Sequence, residues 1–182
     1  MTSRRFLTTL VALALILSAP GAFAASANAS TNVSITVPAF ATISLSSGST
    51  NLTYSGSAPA GTWSGTVTAT YSCRTTVGST GNQITLSATA ASWTPGTVGS
   101  VGPAVGDLKY TTAAGANPPP GVTYTTSSTA VQNGTETGVV TGIAAKAHIS
   151  GAGVVTTFTV ADNAAWDADS YTLPVRFTIT AN

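Results

Sequence analysis

Charge is scarce in this chain. Of its 182 residues only 6% are Asp, Glu, Lys or Arg, against roughly 25% in ordinary soluble domains, so the polar surface must come mostly from Thr, Ser, Asn and Gln. Six basic and five acidic residues provide no bulk charge to recruit nucleic acid or an anionic membrane. Titratable chemistry is equally thin, with one histidine and one cysteine. His148 falls on the polar phase of its segment beside Lys146, and reads as a surface residue rather than a catalytic base or metal ligand. No G-x-S-x-G elbow, H-E-x-x-H helix, phosphate-binding glycine loop or CxxC pair occurs. Ser and Thr hydroxyls without a base are inert. The expectation is a non-enzymatic protein without a cofactor.

Long apolar runs are missing beyond the first residues. The chain opens MTSRRFLTTLVALALILSAPGAFAAS, with Arg4 and Arg5, an apolar run from Phe6 to Leu17, and Ala22-Phe23-Ala24. That order of charge, apolar segment and small-residue site predicts a signal peptide over 1–24, cleaved near Ala24. Its apolar core falls short of the roughly 20 residues that span a bilayer, so no membrane span is expected in the mature chain. The mature protein is then secreted, to the periplasm or cell surface, by the general route rather than the twin-arginine one. Removing Arg4 and Arg5 leaves four basic residues against five acids.

What the sequence has in abundance is alternation. Val33, Ile35 and Val37 alternate with Ser34 and Thr36, and Ile84, Leu86 and Ala88 with Thr85 and Ser87. Ile143, Ala145, Ala147 and Ile149 form a third apolar phase, and Tyr171, Leu173, Val175, Phe177 and Ile179 a fourth. Period two in Val, Ile, Thr and Tyr marks strands with one buried face. Further strands are expected at 42–46, 51–55, 107–112, 121–126 and 154–161. Turn signals separate them, among them Pro59-Ala60-Gly61, Pro95-Gly96, Asn133-Gly134 and Ser150-Gly151. With no βαβ rhythm, the fold class is all-β, an antiparallel sandwich. Residues 25–38 read as a flexible N-terminal arm or a donor-like strand, 39–182 as a single β-sandwich domain, and 92–106 as a long loop or lightly structured edge.

The lone thiol sits inside such a pattern. In "GTVTATYSCRTT", Val67, Ala69, Tyr71 and Cys73 alternate with Thr66, Thr68, Thr70 and Ser72, so Cys73 is expected to be buried as a small hydrophobe. The run "NVSITVPAFATISLSSGSTNLTYSG", followed by "GTWSGTVTATYSC" and "NQITLSATA", resembles the opening of spore coat protein U and chaperone–usher pilin-like domains. Cys73 stands where that family has its second cysteine, and the first would fall near Ala41. Leu52-Thr53-Tyr54 stands at the family's "L-x-F". Leu108-Lys109-Tyr110 resembles its mid-domain "L-x-Y", and "DSYTLPVRFTITAN" its closing strand, with Asp169 in place of the usual glycine.

The resemblance implies an Ig-like, pilin-like sandwich lacking one strand, with Cys73 the surviving half of a disulfide. It also implies assembly by strand addition, with Val33, Ile35 and Val37 as the candidate donor and Pro38 as hinge. Partners would be further copies or related subunits, and a periplasmic chaperone. From the residues alone, 33–37 serves equally as the first strand of its own sheet.

Two other clusters bear on ligands. "ADNAAWDADSY" gathers Asp162, Asn163, Asp167 and Asp169, oxygen-bearing residues of the type that calcium takes from loops. Asx residues also make turns by bonding their own backbone. Trp63, Trp93 and Trp166 are candidate stacking surfaces for a glycan. The leading expectation is a structural subunit of a fimbria- or coat-type surface assembly. The alternative is a monomeric exported carbohydrate- or calcium-binding sandwich.

Overall fold

The computed structural model describes residues 30–182 apart from Pro59. The leader expected over 1–24, and the first residues of the arm, lie outside them. The described elements are strands β1 (Phe40–Leu45), β2 (Thr53–Ser55), β3 (Thr62–Arg74), β4 (Gln83–Ala88) and β5 (Thr94–Pro95), then a single 3-10 turn at Val105–Asp107. They continue with β6 (Lys109–Ala114), β7 (Thr123–Tyr124), β8 (Thr129–Ala130), β9 (Thr137–Thr141), β10 (His148–Ala161), β11 (Tyr171–Thr172) and β12 (Val175–Thr180). The chain divides after Thr36, and Val37–Asn182 is one unit. No helix among the described residues is long and apolar enough to cross a membrane.

All ladders between these strands are antiparallel. One sheet has the order β1-β3-β10-β6-β8, with β2 sharing the β1 edge of β3; a second has the order β12-β4-β9-β7; β5 and β11 form a small ribbon. β3 and β10, of 13 and 14 residues, are the spine. Their alternation explains their burial. Val67, Ala69, Tyr71 and Cys73 point inward, opposite Thr156, Val154, Ala152 and Ile149 of β10. From the other sheet Ile84, Leu86, Val139 and Val140 meet them in one apolar core. The architecture is therefore sandwich-like and nearly all-β.

Three expectations need correction. Residues 33–37 form no strand, so they do not begin the domain's own sheet, which starts at Phe40. The alternation at 143–149 is not one strand: β9 ends at Thr141, Lys146 turns with φ 58°, and β10 begins at His148. Ile143 and Ile149 are buried but Ala145 is exposed, because the backbone reverses between them. The closing alternation is interrupted at Leu173-Pro174, which separates β11 from β12; proline has no N–H to give a ladder. Within the expected loop 92–106, two residues pair as β5 and the 3-10 turn begins.

The β10 ladder slips in register between Ile149 and Ala152, where Gly151 has φ 62°. That bulge brings Gly153 against the segment after β6. A Cβ on Gly153 would stand 2.7 Å from the Ala116 nitrogen, closer than packed atoms allow, so the crossing requires glycine.

Candidate functional site

The two sheets meet along two edges, and the edges differ. On one, β6 is stitched to the opposite sheet. Thr112 N–H donates to Thr125 O at 2.6 Å, and Thr125 N–H donates to the Thr112 hydroxyl at 2.8 Å. The Thr112 hydroxyl donates to Val139 O at 2.9 Å. Tyr110 reaches across, its hydroxyl 2.9 Å from both Gly138 O and Thr137 Oγ1. Thr137 Oγ1 in turn donates to Leu86 O at 3.1 Å. This is the tyrosine of Leu108-Lys109-Tyr110, and it latches the sheets together.

On the other edge lie β1 and β12, each bonded on one side only. Their Cα atoms approach within 8 Å, yet among the described residues no hydrogen bond joins them. Ala41, Ile43 and Leu45 are opposite Cys73, Tyr71 and Ala69, so they share the core-facing side of β3. Ala41 and Leu45 are exposed all the same, and Ile43 is half-buried. Val175, Phe177 and Ile179 oppose Ala88, Leu86 and Ile84 and face the core likewise, but all three are half-buried. Core-facing apolar side chains thus line an unstitched seam, where two rows of backbone N–H and C=O groups lack strand partners.

Upstream of this seam is the candidate donor. Val33 and Ile35 are 92% and 87% exposed, Val37 is 53% exposed, and residues 30–39 carry no regular structure. The alternation places the three on one side of an extended chain.

Cys73 is fully buried, and desolvation pushes its thiol up from the ordinary value. Directly opposite it in the β1–β3 ladder stands Ala41, the position where the resemblance would put a first cysteine. Tyr71 lies nearby with a buried hydroxyl that has no partner among the described residues; burial pushes its phenol well above the usual range, with Tyr124 and Cys73 adding to the effect.

The four oxygen-bearing residues of the acidic loop are not brought into one ligand set. Among the described residues no group of three or more His, Cys, Asp or Glu could hold a metal. Each carboxylate is occupied locally. Asp169 accepts from Thr97 N–H and Ser170 N–H, both at 2.7 Å, and these bonds hold its carboxyl below the usual value. Asp167 accepts from Val101 N–H at 2.6 Å. Asp162 accepts from the Tyr54 hydroxyl at 3.1 Å and from Asn163 N–H at 2.9 Å, and Asn163 accepts from Ala165 N–H at 3.0 Å. The loop clamps residues 97–101, as Asx chemistry does.

The tryptophans divide. Trp93 and Trp166 pack against the core, and Trp93 Nε1–H donates to Ala104 O at 3.0 Å. Trp63 is exposed and leans on Tyr54, with ring centroids 4.9 Å apart. His148 is exposed at the start of β10. The alternation of 175–179 carried the seam in part; that β1 and β12 are the edge strands depends on pairing order, which period two does not encode.

Compared with known proteins, the chain matches no family model, no curated sequence and no solved structure.

Proposed function

We propose that this protein is a non-enzymatic, exported structural subunit of a surface assembly, an incomplete Ig-like, pilin-like sandwich that polymerises by strand addition. Val33, Ile35 and Val37 of one copy enter the seam of the next, where main-chain bonds to the free edge of β12 give affinity and the alternate side chains cover the exposed core. The observation that carries this is the asymmetry of the two edges, one laced by Thr112, Thr125 and Tyr110, the other apolar and unbonded. Length fits: residues 30–38 extended reach roughly 30 Å, more than the six residues of β12 need. Strands in a sheet lie about 4.8 Å apart, so a strand held between β1 and β12 parts them to nearly 10 Å, and the stretch where they approach within 8 Å opens by at least about 2 Å.

The free β12 edge would favour aggregation in a lone subunit, which is the role for a periplasmic chaperone. Ala41 facing Cys73 supports the same reading, since a pilin-like disulfide would bridge that pair. The competing monomeric glycan-binding reading is favoured by one feature, the exposed Trp63 face beside Tyr54.

Deleting residues 25–38 from the mature chain tests the proposal. The expected result is a folded domain that no longer forms polymers by sedimentation and electron microscopy. Polymers of unchanged length from the deletion variant would overturn it.

A further inference from the structure

The ionisable side chains are sorted to the two ends of the spine. β3 runs 13 residues from Thr62 to Arg74, roughly 40 Å at about 3.3 Å per residue. β10 runs the other way, with Ala161 opposite Thr62 and His148 opposite Arg74. Asp162 follows Ala161, its N–H donating to Gly61 O, and the same loop carries Asp167 and Asp169. Asp107 joins them, lining a hollow with Thr62, Ala161 and Lys109, the one cation at this end among the described residues. At the far end are Arg74, Lys146 and His148, with no acidic side chain. Between the ends Glu136 and Arg176 pair at 3.9 Å. Arg4 and Arg5 apart, these are all the Asp, Glu, Lys and Arg of the chain.

The cationic end is hollow. An open recess of about 560 Å³ is lined by Val37, Pro38, Ala39, Arg74, Lys146 and His148 among others. The Arg74 guanidinium is held over the Phe40 ring, 5.5 Å from its centroid. Lys146 is exposed and turns with φ 58°, a conformation that glycine or asparagine adopts more readily.

We propose that this recess docks the acidic end of a second copy, so that copies stack end to end in one orientation. The inference deepens the strand-addition reading and rests on it. Charge complementarity selects the occupant: Asp107, Asp162, Asp167 and Asp169 against Lys109 leave one end net negative, and Arg74 with Lys146 make the other net positive. So does the path of the chain. The arm joins the domain at Val37–Ala39, on the wall of the recess, and β12 runs from the acidic end toward the cationic end, with Ala88 opposite Val175 and Gln83 opposite Thr180. An arm leaving one cationic end therefore meets its neighbour at the acidic end, and lies antiparallel to the neighbour's β12. Opposed charges orient the encounter before the strand pairs, an effect screened as salt rises.

The test uses two variants of the mature chain. The first, Arg74→Glu with Lys146→Asp, reverses the recess, Asp being tolerant of the left-handed backbone. The second combines Asp107→Asn, Asp162→Asn, Ala164→Lys, Ala165→Lys and Ala168→Lys. It reverses the acidic end at exposed alanines, and at 107 and 162 the asparagine oxygen still accepts the backbone N–H, while at 162 the amide NH2 donates to the Tyr54 hydroxyl in place of accepting from it. Assembly is followed by light scattering at about 50 mM and 500 mM salt, where the screening length falls from about 14 Å to about 4 Å. Each variant alone is expected to assemble at least tenfold more slowly than the wild type at low salt, the equimolar mixture to recover the rate, and the wild type to slow at high salt.

Variants that assemble like the wild type, or a mixture that fails to recover, overturn the docking. Wild-type assembly by the first variant together with lost binding to heparin also overturns it, and assigns the recess to a polyanionic glycan. If charge reversal is silent while deletion of residues 25–38 abolishes polymers, the recess inference falls and the arm reading stands. If deletion is silent while charge reversal slows assembly, the arm reading falls and takes with it the docking as an aid to strand addition. A mature chain that stays monomeric at both salts overturns both.

Discussion

Ala41→Cys should close a disulfide with Cys73. The two residues are Cα partners in the β1–β3 ladder and lie on its core-facing side. Directly opposed residues of antiparallel strands have Cα atoms about 4.5–5.5 Å apart, within the 4.4–6.8 Å that disulfides span. The bridge would close a loop of about 33 residues, for which chain entropy gives about 3.7 kcal/mol at 25 °C. Native strain lowers that figure, so a gain of about 2–4 kcal/mol is expected, which for a domain of this size raises Tm by roughly 10 °C. The assay is thermal unfolding by circular dichroism with and without reductant, alongside thiol titration in denaturant. The wild type should titrate one thiol and be indifferent to reductant. Oxidised A41C should titrate none and lose its added stability on reduction. Two free thiols after prolonged oxidation, or a lower Tm in the oxidised form, would refute the register of β1 on β3, and with it the placement of β1 at the seam.

Other expectations follow from the same geometry. Tyr110→Phe removes the hydroxyl that spans the sheets, while Gly138 O keeps the Thr125 hydroxyl at 2.6 Å; chemical denaturation should show a loss of about 0.5–1.5 kcal/mol, and a change under about 0.3 kcal/mol would contradict the latch. Lys146→Gly relieves the left-handed backbone at φ 58° and should stabilise by up to about 1 kcal/mol; a destabilised variant would show that the lysine side chain outweighs its backbone. Because Asp169's folded value is held below the ordinary 3.8 by Thr97 and Ser170, its stabilising contribution is complete above that value and is lost as pH falls through the lower folded one. Trp93 fluorescence should therefore stay flat from pH 6 to about 4 and change only in more acid solution; a transition centred above pH 5 would refute the clamp.

Much of the fold was readable as period two. The phase of Val67, Ala69, Tyr71 and Cys73 is the phase observed, because a central strand of a sandwich has one wet face and one packed face. Where the pattern misled, local backbone geometry intervened. Ile143 to Ile149 alternate perfectly, yet Gly142 and Lys146 both take positive φ and fold the segment into a turn, so that Ala145 is exposed between the buried Ile143 and Ile149. Leu173-Pro174 broke the closing strand through the missing N–H.

The seam was only half legible. The apolar phase of Val175, Phe177 and Ile179 was visible, but their incomplete burial follows from β12 being an edge, a property of strand order. The polarity of the molecule was invisible for a similar reason. Asp107 and Asp162 are far apart in sequence and come to one end only because β6 and β10 are paired.

Hydrogen–deuterium exchange of the Val37–Asn182 unit, with and without a peptide of residues 30–38, tests the central claim most directly. Strand addition predicts that the peptide slows exchange along Val175–Thr180, and that replacing Val33, Ile35 and Val37 by Ser abolishes the effect. Exchange at β12 that is identical with and without peptide, while the unit remains folded, would contradict it.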